Sequence, residues 1–167
     1  MTRPNAHRVA RRAGSRSDCG IDVTLRTVPE ALTGVVAETT TWAEYPTVWR
    51  RLLDEVWAFI RAGGAAKHGH NVMLYLDDTP RVEIGVQVAE AFESKGRVVQ
   101  SVLPAGIVAT AINRGPYEGL EQTHRAIHTW CAAQGHRLTG VRWEIYGDWS
   151  EDPAQVEVEV NYLLADR

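Results

Sequence analysis

The positions of apolar residues along the chain change period several times, and each change marks an element. Asp22 to Val28 and Leu32 to Thr39 alternate as two short strands, broken by Pro29-Glu30. From Pro46 the apolar residues are Val48, Trp49, Leu52, Leu53, Val56, Trp57, Phe59 and Ile60. That spacing predicts a helix with one broad apolar stripe, opened by Pro46 and closed by Gly63-Gly64. His68-Gly69-His70 reads as a loop. Two histidines without a third ligand in range do not make a metal site. Asn71 to Leu76 and Val82 to Val88 alternate again, separated by the turn Asp77-Asp78-Thr79-Pro80. Ala89 to Gly96 is a polar connection with room for one helical turn.

The order then repeats. Strands are expected at Arg97–Leu103 and Gly106–Ile112. Gly115-Pro116-Tyr117 opens a helix carrying Leu120, His124, Ile127, Trp130 and Cys131, which Gln134-Gly135 ends. Val141–Tyr146 and Gln155–Leu163 are the last two strands. Sliding the chain by 72 residues matches Gly34 with Gly106, Val35 with Ile107, Val36 with Val108 and Ala37 with Ala109. The same offset matches Tyr45 with Tyr117, Val48 with Leu120 and Gly63 with Gly135. Small shifts in loops then align Tyr75 with Tyr146 and Val82 with Val156. The chain is therefore read as a duplicated strand–strand–helix–strand–strand unit, residues 21–90 and 97–165. The expected fold is α+β, with antiparallel sheets, one long helix per unit, a pseudo-two-fold axis and a ligand cleft where the halves meet.

Alternation along each strand assigns its faces. In the second unit Trp143, Ile145, Val156, Val158 and Val160 are expected to face the helix. Arg142, Glu144 and Tyr146 lie on the other side of their strand, and Met73 and Tyr75 take the matching place in the first unit. Tyr75 and Tyr146 are then symmetry mates, while Glu144 is matched by Met73. A carboxylate among aromatic rings can hold an organic cation, or it can transfer protons if burial raises its pKa. The residues leave both uses open.

Composition narrows the classes. The net charge is −3, but Arg3, Arg8, Arg11, Arg12 and Arg16 against Asp18 put +4 on residues 1–20, leaving −7 on residues 21–167. Such an acidic body is a poor phosphate-binding surface. Residues 1–20 read as a basic disordered tail without the apolar region of a secretory signal. No apolar run approaches a membrane span. Cys19 and Cys131 form no disulfide framework, and a reducing cytoplasm is expected. No metal or cofactor is expected.

Gly115-Pro116-Tyr117, the helix with His124 and Trp130, the run Trp143-Glu144-Ile145-Tyr146-Gly147-Asp148-Trp149 and the strand through Asn161-Tyr162-Leu163-Leu164 resemble the GyrI-like small-molecule-binding domain. This domain serves as the effector-binding part of AraC-type and MerR-type regulators and also stands alone. The resemblance covers roughly residues 21–165. It implies a cleft for amphipathic, aromatic or cationic compounds, of the kind used in multidrug recognition. Glu144 matches the cleft glutamate, and Tyr75, Tyr117, Tyr146 and Trp149 are aromatic candidates beside Met73. No segment reads as a helix-turn-helix, so DNA binding by the folded domain is not expected. Some stand-alone members are hydrolases of cyclopropane-bearing compounds. The alternative expectation is such a hydrolase with Glu144 as general acid/base, helped by His124, Asp148 or Glu159. A protein-interaction module is a third class, without a residue pointing to it.

Overall fold

The computed structural model describes residues 20–166; the basic tail expected at residues 1–20 lies, apart from Gly20, outside the described residues. Strands β1 (Thr24–Val28) and β2 (Ala31–Thr39) precede helix α1 (Tyr45–Arg61), followed by β3 (Lys67–Tyr75) and β4 (Arg81–Val88). The second unit repeats the order: β5 (Val99–Leu103), β6 (Gly106–Arg114), α2 (Leu120–Gln134), β7 (Leu138–Tyr146) and β8 (Glu157–Leu164). The duplication read from the sequence is present in full.

The helices form where the sequence places them. Pro46 sits in the first turn of α1, and Gly63 follows its end with φ +83°. Leu52 and Val56 from its stripe are fully buried, each contributing about 1.5–3 kcal/mol by leaving water. α2 ends on Gly135, whose φ of +73° is the left-handed conformation that glycine adopts at least cost. Tyr117–Gly119 form a separate 3-10 turn ahead of α2. No helical turn forms in the connection after β4, and His68-Gly69-His70 belongs to β3. There the pairing with β4 shifts register between Lys67 and Asn71. Gly69 has φ +106°, and a Cβ on it would strike the Gln87 side chain. The glycine that suggested a loop instead permits an irregularity within a strand.

All eight strands join one antiparallel sheet in the order β1-β6-β8-β7-β3-β4-β2-β5. The two units meet at β3 and β7. Their first strands are exchanged: β1 pairs with β6 of the second unit, and β5 pairs with β2 of the first. α1 packs mainly on β2 and β4, and α2 mainly on β6 and β8. The central strands β3 and β7 are thus left between the two helices.

This placement corrects the expected faces of β3 and β7. Met73 pairs with Ile84 and Glu144 with Val160, and Ile84 and Val160 belong to the clusters under α1 and α2. Met73, Tyr75, Glu144 and Tyr146 therefore share the helix-bearing face. Trp143 and Ile145 point the other way, into a cluster with Val72, Leu74, Val108 and, from the outer strands, Val28, Ala31 and Leu103. Central and outer strands meet there because the twisted sheet curls over its helix-free face. Trp143 is 2% exposed. Among the described residues no helix is long and apolar enough to cross a membrane.

Candidate functional site

The floor of the space between the helices is built by three alternate residues of β7 and their partners on the neighbouring strands. Arg142 lies between Tyr75 and Tyr162, Glu144 between Met73 and Val160, and Tyr146 between Asn71 and Val158. The register makes the internal symmetry explicit. Met73 and Glu144 are direct partners, so the pseudo-two-fold axis passes between them and exchanges Tyr75 with Tyr146 and Asn71 with Arg142.

Glu144 is only 4% exposed. Its Oε2 accepts a hydrogen bond from the Tyr146 hydroxyl at 2.7 Å. Its Oε1 lies 3.7 Å from His124 Nε2, an ion-pair distance. The other imidazole nitrogen, Nδ1, bonds the Tyr162 hydroxyl at 2.7 Å. On the first unit's side the Tyr45 and Tyr75 hydroxyls are 2.8 Å apart, and Tyr45 also donates to Met73 Sδ at 3.1 Å.

Burial pushes the Glu144 carboxyl up, but His124 and the Tyr75 and Tyr146 hydroxyls outweigh it, so the net shift is downward. Burial alone would have raised this pKa; the hydrogen bonds from its neighbours reverse the sign. The phenols move the opposite way. Burial, reinforced by the Glu144 charge, holds Tyr75 and Tyr146 well above the usual tyrosine range, and burial does the same at Tyr45. Burial is also the main reason Tyr162 is pushed up to about 12. Between the helices, a carboxyl held below its ordinary pKa thus faces phenols held above theirs. Leaving such a charge in a dry interior costs several kcal/mol unless it is compensated. Here the compensation comes from neutral donors and one histidine.

The two ends of the cleft differ. At the first, Trp42 packs on Tyr45 and Tyr75 and donates its indole N–H to the Asp78 carbonyl. The Arg142 guanidinium lies 5.5 Å from the Trp42 ring centre and 5.4 Å from that of Tyr75. At the second end Tyr117 meets Tyr146 edge-on with ring centres 5.8 Å apart. Tyr117 and Trp149 are 50% and 75% exposed and line a cavity of about 670 Å³ with Pro116, Pro153 and Val156.

Of the residues singled out from the sequence, the structure gathers Glu144, Tyr146, Tyr75 and Met73 on one face and sets Tyr117 against Tyr146. Trp149 lies in the loop after β7 and lines the same cavity as Tyr117. Asp148 binds His70 at 3.2 Å, and Glu159 pairs with Arg26 at 3.3 Å. Neither assists Glu144. His124, the other suggested helper, bridges toward Tyr162 and Glu144. Tyr45, Trp42, Tyr162 and Arg142 were given no site role. Two signals were available: Tyr45 is the symmetry mate of Tyr117, and Arg142 shares the strand face of Glu144.

Several solved structures share this fold. The EcmrR C-terminal domain superposes with a TM-score of 0.74 at 19% identity, over 88% of this chain and 99% of that one. SAV2435 bound to tetraphenylphosphonium matches with a TM-score of 0.63 at 11% identity, over 86% and 93% of the two chains. A hydrolase from Listeria innocua matches with a TM-score of 0.55 at 12% identity, over 92% and 94%. No curated protein matches the sequence significantly. The sequence itself matches the model of the GyrI-like small molecule binding domain over residues 21–163, and the chain belongs to that family.

Proposed function

We propose that the cleft between α1 and α2 binds an organic cation with aromatic substituents, and that Glu144 is its counter-charge. The observation that carries this reading is the buried carboxylate of Glu144, walled by Tyr45, Tyr75 and Tyr146. A delocalised aromatic cation suits it. Such an ion sheds its water at low cost, gains from ring faces and meets the carboxylate in a low-dielectric setting. A small hydrated cation would lose too much solvation. Tyr117 and Trp149 offer apolar area at the open end for the ligand's rings. The structure of SAV2435 bound to tetraphenylphosphonium supports a ligand of this class.

The test is a matched pair, tetraphenylphosphonium and the neutral triphenylphosphine oxide, titrated against the native protein and Glu144→Gln. The variant should bind the cation at least about tenfold more weakly, as expected for an unscreened charge pair. Binding of the neutral compound should change little. Equal losses for both would refute the counter-charge role.

The short path from Tyr162 through His124 to Glu144 favours a second reading, hydrolysis of an electrophilic, cyclopropane-bearing aromatic compound with Glu144 as the proton-transfer group. The downward shift of Glu144 makes it a weak acid catalyst near neutral pH and argues for binding first. Turnover of such a compound, abolished in Glu144→Gln with binding retained, would establish the catalytic role.

A further inference from the structure

The cleft holds a second charge. Arg142 stands two residues before Glu144 on the same strand, hence about 7 Å away along the same face. Its side chain is 11% exposed. Tyr75 and Trp42 flank the guanidinium within 5.5 Å of their ring centres. Nη1 donates to the Gly140 carbonyl at 3.0 Å and pairs with Asp78 Oδ1 at 2.9 Å. Those are its polar partners among the described residues, and both use one nitrogen of a group with five N–H donors. The two partners differ in kind. Gly140 belongs to the backbone of β7 itself. Asp78 sits on the β3–β4 turn, and its side chain is 88% exposed. An exposed carboxylate holds its partner weakly, since water and salt compete for it. It also shows that an anion reaches the guanidinium from the solvent side.

Arg142 has no equivalent in the other unit. Its symmetry mate, Asn71, accepts from the Trp57 indole at 3.0 Å and carries no charge. The cleft is thus polarised along β7, with a cation and an anion fixed on one face by the strand's own alternation.

We infer that this cleft prefers an amphoteric ligand, an aromatic cation that also carries a carboxylate or similar anion, with the cation at Glu144 and the anion displacing Asp78 from Arg142. The proposal deepens the reading of Glu144 as counter-charge and rests on it. In this arrangement Asp78 is an internal stand-in for the ligand's anionic group, and Trp42 and Tyr75 hold the guanidinium flat to receive it. Arg142 is then the residue that separates amphoteric ligands from simple cations.

Rhodamine 6G, a cationic ester, and rhodamine 19, its free acid, differ at one carboxyl group. Their affinities can be compared by fluorescence anisotropy in the native protein and in Arg142→Gln, Asp78→Asn and Glu144→Gln. The native protein should bind rhodamine 19 about tenfold more tightly, the balance between a charge-assisted bond gained and a weak surface pair lost. Arg142→Gln should abolish that preference and bind rhodamine 6G somewhat more tightly, because a neighbouring positive charge is gone. Asp78→Asn, at an exposed position that leaves the core intact, should tighten rhodamine 19 alone. Equal affinity of the native protein for the two dyes, or a preference that survives Arg142→Gln, overturns the inference. Rhodamine 6G that binds Glu144→Gln as well as the native protein overturns the counter-charge reading and leaves the Arg142 comparison standing. Failure of both dyes to bind overturns both.

Discussion

Met73 and Glu144 face each other as direct partners across the β3–β7 pairing, at the point about which the two halves of the domain are related. One half contributes a thioether and the other a carboxylate, so the internal symmetry is broken at its own axis. A symmetric pair of carboxylates would place like charges side by side on a buried sheet face, which is strongly unfavourable.

Met73→Glu should therefore destabilise the domain by about 3–5 kcal/mol at pH 7, the cost of a buried charge without a partner. Part of that loss should return near pH 5, where the two carboxyls can share a proton. Urea unfolding at the two pH values measures it. Equal stability losses at both would show that the two carboxyls do not interact.

Tyr146 donates a hydrogen bond to the Glu144 carboxylate at 2.7 Å. Tyr146→Phe keeps the ring against Tyr117 and removes that donor. It should cost about 1.5–3 kcal/mol in unfolding free energy, the range for hydrogen bonds to charged groups. The loss should shrink when Glu144 is already glutamine, and a double-mutant cycle reads the coupling.

The pKa shifts set both pH limits of stability. Glu144 is lowered in the folded state, so its contribution is complete above the unfolded carboxyl value of about 4.5 and fades as pH falls through the lower folded value. Tyr75 and Tyr146 are raised, so theirs is complete below the ordinary value of 10.0 and lost as pH climbs above it. Stability against pH should fall at both ends. In Glu144→Gln the acid limb should flatten, and the total stability lost on the alkaline limb should shrink while its onset stays near 10, since one cause of the raised phenols is gone. A midpoint curve from pH 3 to 11 tests both.

Trp149, at 75% exposure, contributes little to the core. Trp149→Ala should leave Tm within a few degrees of the native value while weakening tetraphenylphosphonium binding about fivefold, by removing one ring from the open end. Leu52→Ala, at a fully buried position of α1, is the contrast: it should cost about 2–5 kcal/mol in stability. A large drop in Tm for Trp149→Ala would mean that its loop is part of the folded core.

Both helices and the duplication could be read from periodicity because each rests on residues close in sequence. The face of β7 could not. Trp143 and Glu144 are adjacent and both almost fully buried, at 2% and 4% exposure. A strand buried on both sides presents alternation without saying which side the helices cover. Trp143 is satisfied by Val28, Ala31 and Leu103, which arrive from the outer strands as the sheet curls. That information lies in long-range pairing. The same holds for His124: its helical position was legible, but its partners Tyr162 and Glu144 come from β8 and β7. Glu144 itself stood out because a carboxylate alternated with Tyr146 in an aromatic-rich strand.

The exchange of first strands has a consequence for how the duplicated chain can fold. Thr24 finds its partner at Thr110, and Ala31 finds one at Leu103. A polypeptide cut between the repeats would leave β1 unpaired and β2 without one neighbour, each half exposing a raw sheet edge. Neither repeat is thus an autonomous folding unit, however complete its list of elements looks. Pairing Thr24 with Thr110 closes a loop of more than half the domain, a long-range contact of the kind that slows folding. The two halves of the binding site come into existence together.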